Sequence, residues 1–532
     1  MNEMIRSREK IATLRTKNIS VSPPMFSEAE KKSLIERFHP DYNREGFSKL
    51  SIGPNRGYNI PTELCALLEG KPLLSPCQID LNKIDYDVDV LVIGGGGAGA
   101  TAAIEAKRIG ASCLIVTKHR MGDSNTVMAE GGIQACERTN DSSFLHFLDS
   151  YGGSGFTADR QLVSTLVQNG PKSLLWLTEL GVIFDRSDDG KLITTHGGGT
   201  SRMRVHSSKD TTGAEIMRVL RDEVKNLQIP ILEHTAAIEL CLDPDGSVSG
   251  AIAKNLLQNT LVIIRAKAVI LATGGIGRIH CQGYPTTNHY GATADGLVLG
   301  YRAGARMVDM DSLQYHPTGT AYPLSMQGEL ITEKARSLGA KLLNVNGDVF
   351  VSPLETRDTV TSAIIREIHQ RSLGVCYDGQ GAVWLDTPMI DMIHGNGTLA
   401  SRLPSTLKRF LNHGIDIRKE PILVYPTLHY QNGGFSITTE SESTEINDLF
   451  IAGELAGGIH GRNRLMGNAL LDIIVFGRLA GRNAAIKSQK LPLKQLSLDH
   501  IKRFNKEIDL AGISQTAESP RLFPDYTQNH II

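Results

Sequence analysis

Residues 94–99 read Gly-Gly-Gly-Gly-Ala-Gly and carry the spacing G-x-G-x-x-G at Gly94, Gly96 and Gly99. Glycines so placed let the backbone approach a pyrophosphate. A helix that begins at Gly97 and Ala98 adds unpaired N–H groups and the positive end of its dipole. The flanking elements fit that chemistry. Residues 87–93 form an apolar, β-branched run that predicts a buried strand. Ala98, Ala102, Ala106 and Ile109 recur at helical spacing, with Glu105, Lys107 and Arg108 facing outward. A second strand is predicted at 113–116. Strand, glycine turn, helix and strand make up the context that a dinucleotide fingerprint needs. An acidic residue that grips a ribose should close the second strand, but Thr117-Lys118 stand there, which disfavours bound NAD.

Composition sets the outer limits. The chain has 532 residues, 41% hydrophobic and 21% charged, with a net charge of −1. That is enough apolar material for several domains, and nothing points to a nucleic-acid partner. No apolar run reaches the ~20 residues of a membrane span. The seven cysteines are scattered without C-x-x-C, which suggests a reducing, cytoplasmic setting and argues against a metal site (metal: none).

Ser124-Asn125-Thr126-Val127-Met128-Ala129-Glu130-Gly131-Gly132 resembles the flavin-binding segment of the fumarate reductase/succinate dehydrogenase flavoprotein family, which L-aspartate oxidase shares. In that family Ser or Thr followed by Lys replaces the acid, as Thr117-Lys118 do here. The resemblance continues through Ala272-Thr273-Gly274-Gly275, Thr293-Ala294-Asp295-Gly296, Gln314-Tyr315-His316-Pro317-Thr318-Gly319 and Thr332-Glu333-Lys334-Ala335-Arg336. It goes on through Arg357-Asp358, His429-Tyr430-Gln431-Asn432-Gly433-Gly434, Ala452-Gly453-Glu454, His460-Gly461-Arg462-Asn463-Arg464-Leu465 and Asn468-Ala469-Leu470. It covers roughly residues 87–477.

The resemblance implies FAD held by Gly94, Gly96, Gly97, Ala98, Gly99, Thr117, Lys118, Ser124, Asn125, Thr126, Gly131, Gly132, Ala272, Thr273, Gly274, Asp295, Glu454, Asn468, Ala469 and Leu470. It implies a C4 dicarboxylate clamped at one carboxylate by Arg464 and His429, with His316 and Thr332 on the other. Arg357 would be the proton donor for hydride transfer from flavin N5, with Glu333 and Arg336 as its relay. An arginine fork suits carboxylate recognition, although a pKa above ~12 makes it a weak acid. His196, before Gly197-Gly198-Gly199, stands where L-aspartate oxidase carries a glutamate for the substrate ammonium, which weakens that alternative.

The implied fold class is α/β (α+β overall), a Rossmann-like FAD-binding domain from 86–315 and 429–486 with a capping domain at 316–428 inserted in it. Residues 1–85 form an N-terminal extension, either an arm packed on the flavin domain or a partner-docking surface. Ser27 and Glu30 predict a capping box for a helix that stops at Pro40, and 62–69 a short helix. Residues 160–185 are expected to be helical. The tail, 487–532, is expected to hold one amphipathic helix through Leu498, Ile501, Phe504 and Ile508. The favoured activity is fumarate–succinate interconversion, with electrons passed by a partner iron–sulfur subunit and no direct membrane insertion. The alternatives are an L-aspartate oxidase-like enzyme or an electron-transfer subunit of a larger complex.

Family members that bind flavin covalently use the histidine of S-H-T, and Asn125 occupies that position. An amide cannot form that bond. Acid precipitation is expected to leave yellow FAD in the supernatant, and flavin in the pellet would refute a non-covalent site.

Overall fold

The computed structural model describes residues 2–515 and 517–526. The N-terminal extension contributes helices α1 (Asn2–Ser20), α2 (Glu28–Phe38) and α3 (Thr62–Leu68). The capping box at α2 forms as expected: the Ser27 side chain accepts from the Glu30 amide, and Glu30 reaches back to the Ser27 amide at 2.8 Å. The extension splits its contacts. Ile11 of α1 is fully buried in a cluster with Leu343, Trp384 and Leu423, and Leu34 of α2 joins Val360, Ala363 and Ile364. From His39 onward the arm also meets the expected flavin domain, where Asp41 accepts from the Leu313 amide and Asn55 exchanges two 2.8 Å hydrogen bonds with the Met307 backbone. The arm therefore lies on both the residues of the expected cap and those of the flavin domain.

The central sheet is built from β1 (Tyr86–Ile93), β2 (Cys113–Val116), β3 (Ile231–Leu232), β4 (Thr235–Leu242), β5 (Val248–Asn255) and β6 (Thr260–Leu271). Their order is β4-β5-β6-β1-β2-β3. β6 pairs antiparallel with β5 through its first half and parallel with β1. The second half of β1, residues 90–93, and all of β2 are continuous apolar runs buried on both faces, as parallel strands require. Between them runs α4 (Gly97–Arg108).

Downstream lie α5 (Asp295–Ala303) and a second, antiparallel sheet. Its strands are β7 (Leu313–Thr320), β8 (Lys341–Leu343), β9 (Val375–Tyr377), β10 (Gln380–Asp386) and β11 (Ile422–Gln431). Their order is β7-β11-β10-β8, with β9 on β10. α6 (Arg357–His369) packs on this sheet, and the Thr361 hydroxyl donates to the Tyr315 carbonyl at 3.0 Å. The chain then returns to the first sheet as β12 (Leu449–Ile451), parallel to β6. It ends with α7 (Asn468–Ser488) and α8 (Asp499–Ala511). Ile501, Phe504 and Ile508 of α8 are buried, as their spacing predicts. The helix expected over 160–185 spans Arg160–Leu180 and stops at Gly181 in the left-handed region.

α7 lies directly against α4. A Cβ at Gly481 would stand 2.1 Å from the Ala102 carbonyl, so this contact requires glycine. The turn before α4 is as tight, because a Cβ at Gly99 would meet the Gly94 carbonyl oxygen at 1.9 Å. Gly94 itself has φ 120°, which favours glycine. Gly99→Ala is expected to cost at least ~1–3 kcal/mol, the usual range for overpacking. Denaturant titration of the apoprotein measures this apart from any loss of cofactor affinity.

Candidate active site

An elongated cleft opens at the C-terminal ends of β1, β2, β6 and β12, where doubly wound sheets hold their ligands. Two helix N-termini face it, α4 through Gly97 and Ala98 and α7 through Ala469 and Leu470, and neither helix has a side-chain N-cap. Of the residues implied for the cofactor, Gly94, Gly96, Gly97, Ala98, Thr117, Lys118, Ser124, Asn125, Thr126, Gly131 and Gly132 line this cleft. Ala272, Thr273, Gly274, Asp295, Glu454, Ala469 and Leu470 do so as well. Gly99 lies behind the turn. The Asn468 side chain is engaged away from the lining, bonding His146 Nε2 at 3.0 Å and Ser150 Oγ at 2.9 Å.

Lys118 is fully committed to protein acceptors. Its Nζ donates to Asp295 Oδ2 at 2.6 Å, Thr293 Oγ1 at 2.8 Å and the Gly291 carbonyl at 3.0 Å. The C-terminal segment packs behind these lining residues. The Leu522 amide donates to Asp295 Oδ1 at 3.2 Å, and the Phe523 ring lies 5.8 Å from both Lys118 Nζ and the His119 ring. Further back the buried Arg302 guanidinium donates to the Ser519 carbonyl at 2.9 Å. Toward the middle of the cleft Asn125 is held from three sides. Its Nδ2 donates to Asn288 Oδ1 at 2.6 Å and Glu454 Oε2 at 3.2 Å, and its Oδ1 accepts from the His289 amide at 2.6 Å. Burial pushes the Glu454 carboxyl above the usual range.

The implied substrate residues converge at the other end, drawn from the second sheet, α6, the segment 332–336 and the loop before α7. Arg357, the first residue of α6, donates from Nε to Glu333 Oε2 at 2.9 Å. Arg336 Nη2 lies 3.1 Å from the same oxygen, and the Gly198 amide donates to Glu333 Oε1 at 2.6 Å. Gln314, quoted in the sequence only as part of a motif, joins the two clamp arginines. Its Oε1 accepts from Arg357 Nη1 at 2.9 Å and from Arg464 Nη2 at 2.8 Å. Arg464 stacks over the Tyr430 ring at 4.5 Å, and its buried Nε has no hydrogen-bond partner among the described residues. His316 and His429 meet edge to face at 5.0 Å. Thr332, Glu333 and Arg357 line the cleft with them, whereas Arg336 stands behind Glu333. His196 is not part of the lining; its carbonyl accepts from Ser337 Oγ at 2.9 Å.

Sequence reading also missed the role of Glu130, which lines the cleft and accepts from Arg409 of the helix Pro404–Asn412 at 2.6 Å. Burial pushes the Glu130 carboxyl up to about 8 despite that arginine.

The electrostatics follow from three buried guanidiniums beside one buried carboxylate. Burial pushes Glu333 up, but Arg357 and Arg336 outweigh it and hold the group at about 2. Burial, then the neighbouring Arg357, lowers Arg464 to about 9. Burial and the adjacent arginines drive His316 and His429 well below the usual histidine range, so both are neutral near pH 7. His316 Nδ1 accepts the Thr318 amide at 3.3 Å, which assigns its proton to Nε2.

The arrangement thus offers a dinucleotide cleft leading to a cationic pocket with neutral histidine donors. That combination defines an FAD-dependent oxidoreductase. Residues 89–470 match the family model described as an FAD binding domain. The chain is 40% identical to a CoM/CoB fumarate reductase subunit of Methanothermobacter marburgensis over 75% of this chain and 73% of that one. It is 33% identical to an L-aspartate oxidase of Streptomyces coelicolor, over 75% and 68%. Among solved structures, an E. coli quinol fumarate reductase chain superposes with a TM-score of 0.71 at 31% identity, over 80% of this chain and 74% of that one. The chain belongs to the fumarate reductase/succinate dehydrogenase flavoprotein family of FAD-dependent oxidoreductases. No helix among the described residues is long and apolar enough to cross a membrane.

Arg464 must be charged to hold an anion, so kcat/KM for an anionic substrate should fall as pH rises through about 9. The two histidines should add no step near neutral pH, because both stay uncharged there, and a change centred near 8 would report Glu130 in the cleft lining. A step near pH 6.5 would show that a protonated histidine takes part.

Proposed function

We propose that this protein is a fumarate reductase-type flavoprotein that interconverts fumarate and succinate. The observation that carries the reading is the pair Arg357 and Arg464, held together on one oxygen of Gln314 and facing the cleft beside two neutral histidines. Two carboxylates can be met at once: by the Arg464 fork with His429, and by His316 with Thr332. Bound FAD supplies the hydride. Glu333 fixes the Arg357 side chain through Nε, and Gln314 fixes it through Nη1, which leaves Nη2 to deliver a proton. Glu333 and Arg336 return the proton that Arg357 gives up. The Glu333 contact to both arginines is the geometric support for that relay.

Electrons are proposed to come from an iron–sulfur subunit, in keeping with the relative named as one subunit of a fumarate reductase. If the isolated chain reduced fumarate efficiently with NADH alone, this partner would be unnecessary.

The reaction is tested by reducing the flavin anaerobically and adding fumarate, mesaconate and iminoaspartate in turn. Fumarate is expected to reoxidise it fastest. Arg357→Lys should slow reoxidation at saturating fumarate by at least ~10²–10⁴-fold, the usual worth of a general acid, with FAD still bound. Arg464→Lys should also raise KM strongly, because it weakens the clamp in ground and transition states alike. A 357 variant that reoxidises at the wild-type rate would place the acid elsewhere.

A further inference from the structure

We propose that the turn His39–Asp41 and helix α2 of the N-terminal extension are a positioning element for the substrate pocket. They back β7, which presents Gln314 and His316, and α6, which presents Arg357. The inference rests on the functional reading above for its substrate class, but not for its geometry.

Contacts along β7 alternate. Gln314 and His316 serve the pocket, the first holding Arg357 and Arg464 and the second meeting His429. The neighbours on either side of Gln314 are held by the extension. The Leu313 amide donates to both carboxylate oxygens of Asp41, at 3.2 and 3.1 Å. The His39 ring stands edge-on to the Tyr315 ring at 5.6 Å. Successive strand residues point to opposite faces, so a contact that fixes 313 and 315 also fixes the direction of 314 and 316.

The second element is α6, which starts at Arg357. Leu34 of α2 packs with its Val360, Ala363 and Ile364. Lys31 Nζ lies 3.0 Å from Glu355 Oε2, two residues before Arg357. The lysine is 22% exposed and the glutamate 10%. Asp41 is almost fully enclosed at 6% and His39 at 5% (side chains), so these are buried supports. None of residues 31–41 lies within 89–470, the part that matches the family model. The extension thus adds support to a pocket whose working residues all lie inside that part.

Burial raises the Asp41 carboxyl well above the usual range, so Asn is a close mimic that keeps an oxygen acceptor for the Leu313 amide. The FAD-loaded full chain is titrated with malonate, a non-reacting dianion, by perturbation of flavin absorbance, and single-turnover reoxidation by fumarate is followed in parallel. Asp41→Ala should weaken malonate binding and raise the fumarate concentration for half-maximal reoxidation about tenfold, with FAD content unchanged. Asp41→Asn should return both to within about twofold of wild type. Lys31→Ala should produce a smaller shift, about threefold, and it carries the test alone if Asp41→Ala does not fold. Wild-type behaviour in Asp41→Ala, or in Lys31→Ala when it stands alone, overturns the proposal. So does an equal loss in the Ala and Asn variants that tracks loss of FAD. A wild type that binds malonate but is not reoxidised by fumarate fails the reading of the reaction and leaves the binding comparison intact. A wild type that binds neither dianion overturns both.

Discussion

The structure turns on a charge imbalance. Arg336, Arg357 and Arg464 are all at most 6% exposed, and Glu333 is the one carboxylate that pairs with any of them among the described residues. Burying ions costs several kcal/mol each unless they are compensated. Glu333 accounts for one of the three charges, and Gln314 supplies only a dipole to the other two. The dicarboxylate substrate proposed above would complete the balance. Both histidines are neutral first because they are buried, and the nearby Arg357 and Arg464 repel a further positive charge there.

Holding like charges together needs support from several directions, and the chain takes it from distant segments. β7 brings Gln314 and His316, α6 brings Arg357, the loop before α7 brings Arg464, and the glycine turn at 197–199 reaches Glu333 through a backbone amide. A Cβ at Gly198 would lie 2.9 Å from the Glu355 carbonyl and 3.0 Å from Glu333 Oε1, so that amide can approach only as glycine. The dinucleotide cleft is assembled by the same means. Close backbone contact at Gly99 and Gly481 sets α4 against its own turn and against α7.

Much of this was legible in the sequence. The strand–glycine–helix unit, the capping box of α2 and the buried face of α8 are local patterns, and the structure shows each of them. The remainder depends on partners far apart in the chain. Gln314 sits inside a recognisable motif, but its role as the joint between two arginines exists only once residues 357 and 464 meet. Asp41 carries no signal in the sequence, because its carboxylate meets the Leu313 amide 272 positions away. Asn468 opens a helix whose N-terminus faces the cleft, and its own side chain is drawn off by His146 and Ser150. α1 gives a weak signal because Ile11 is the one apolar side chain on it that is fully enclosed; much of its hold comes from polar pairs such as Arg15 with Asp386.

The contacts of residues 517–526 with Asp295 and Lys118 bear on the timing of biosynthesis. The glycine turn and α4 leave the ribosome early, yet the lining residues Lys118 and Asp295 gain their outer partners only when Leu522 and Phe523 dock. At ~5–20 residues per second, that delay is roughly 20–80 s. For that interval the Lys118–Asp295 pair lacks the contacts that back it, so one end of the cleft is ordered by a segment translated far downstream of the glycine turn.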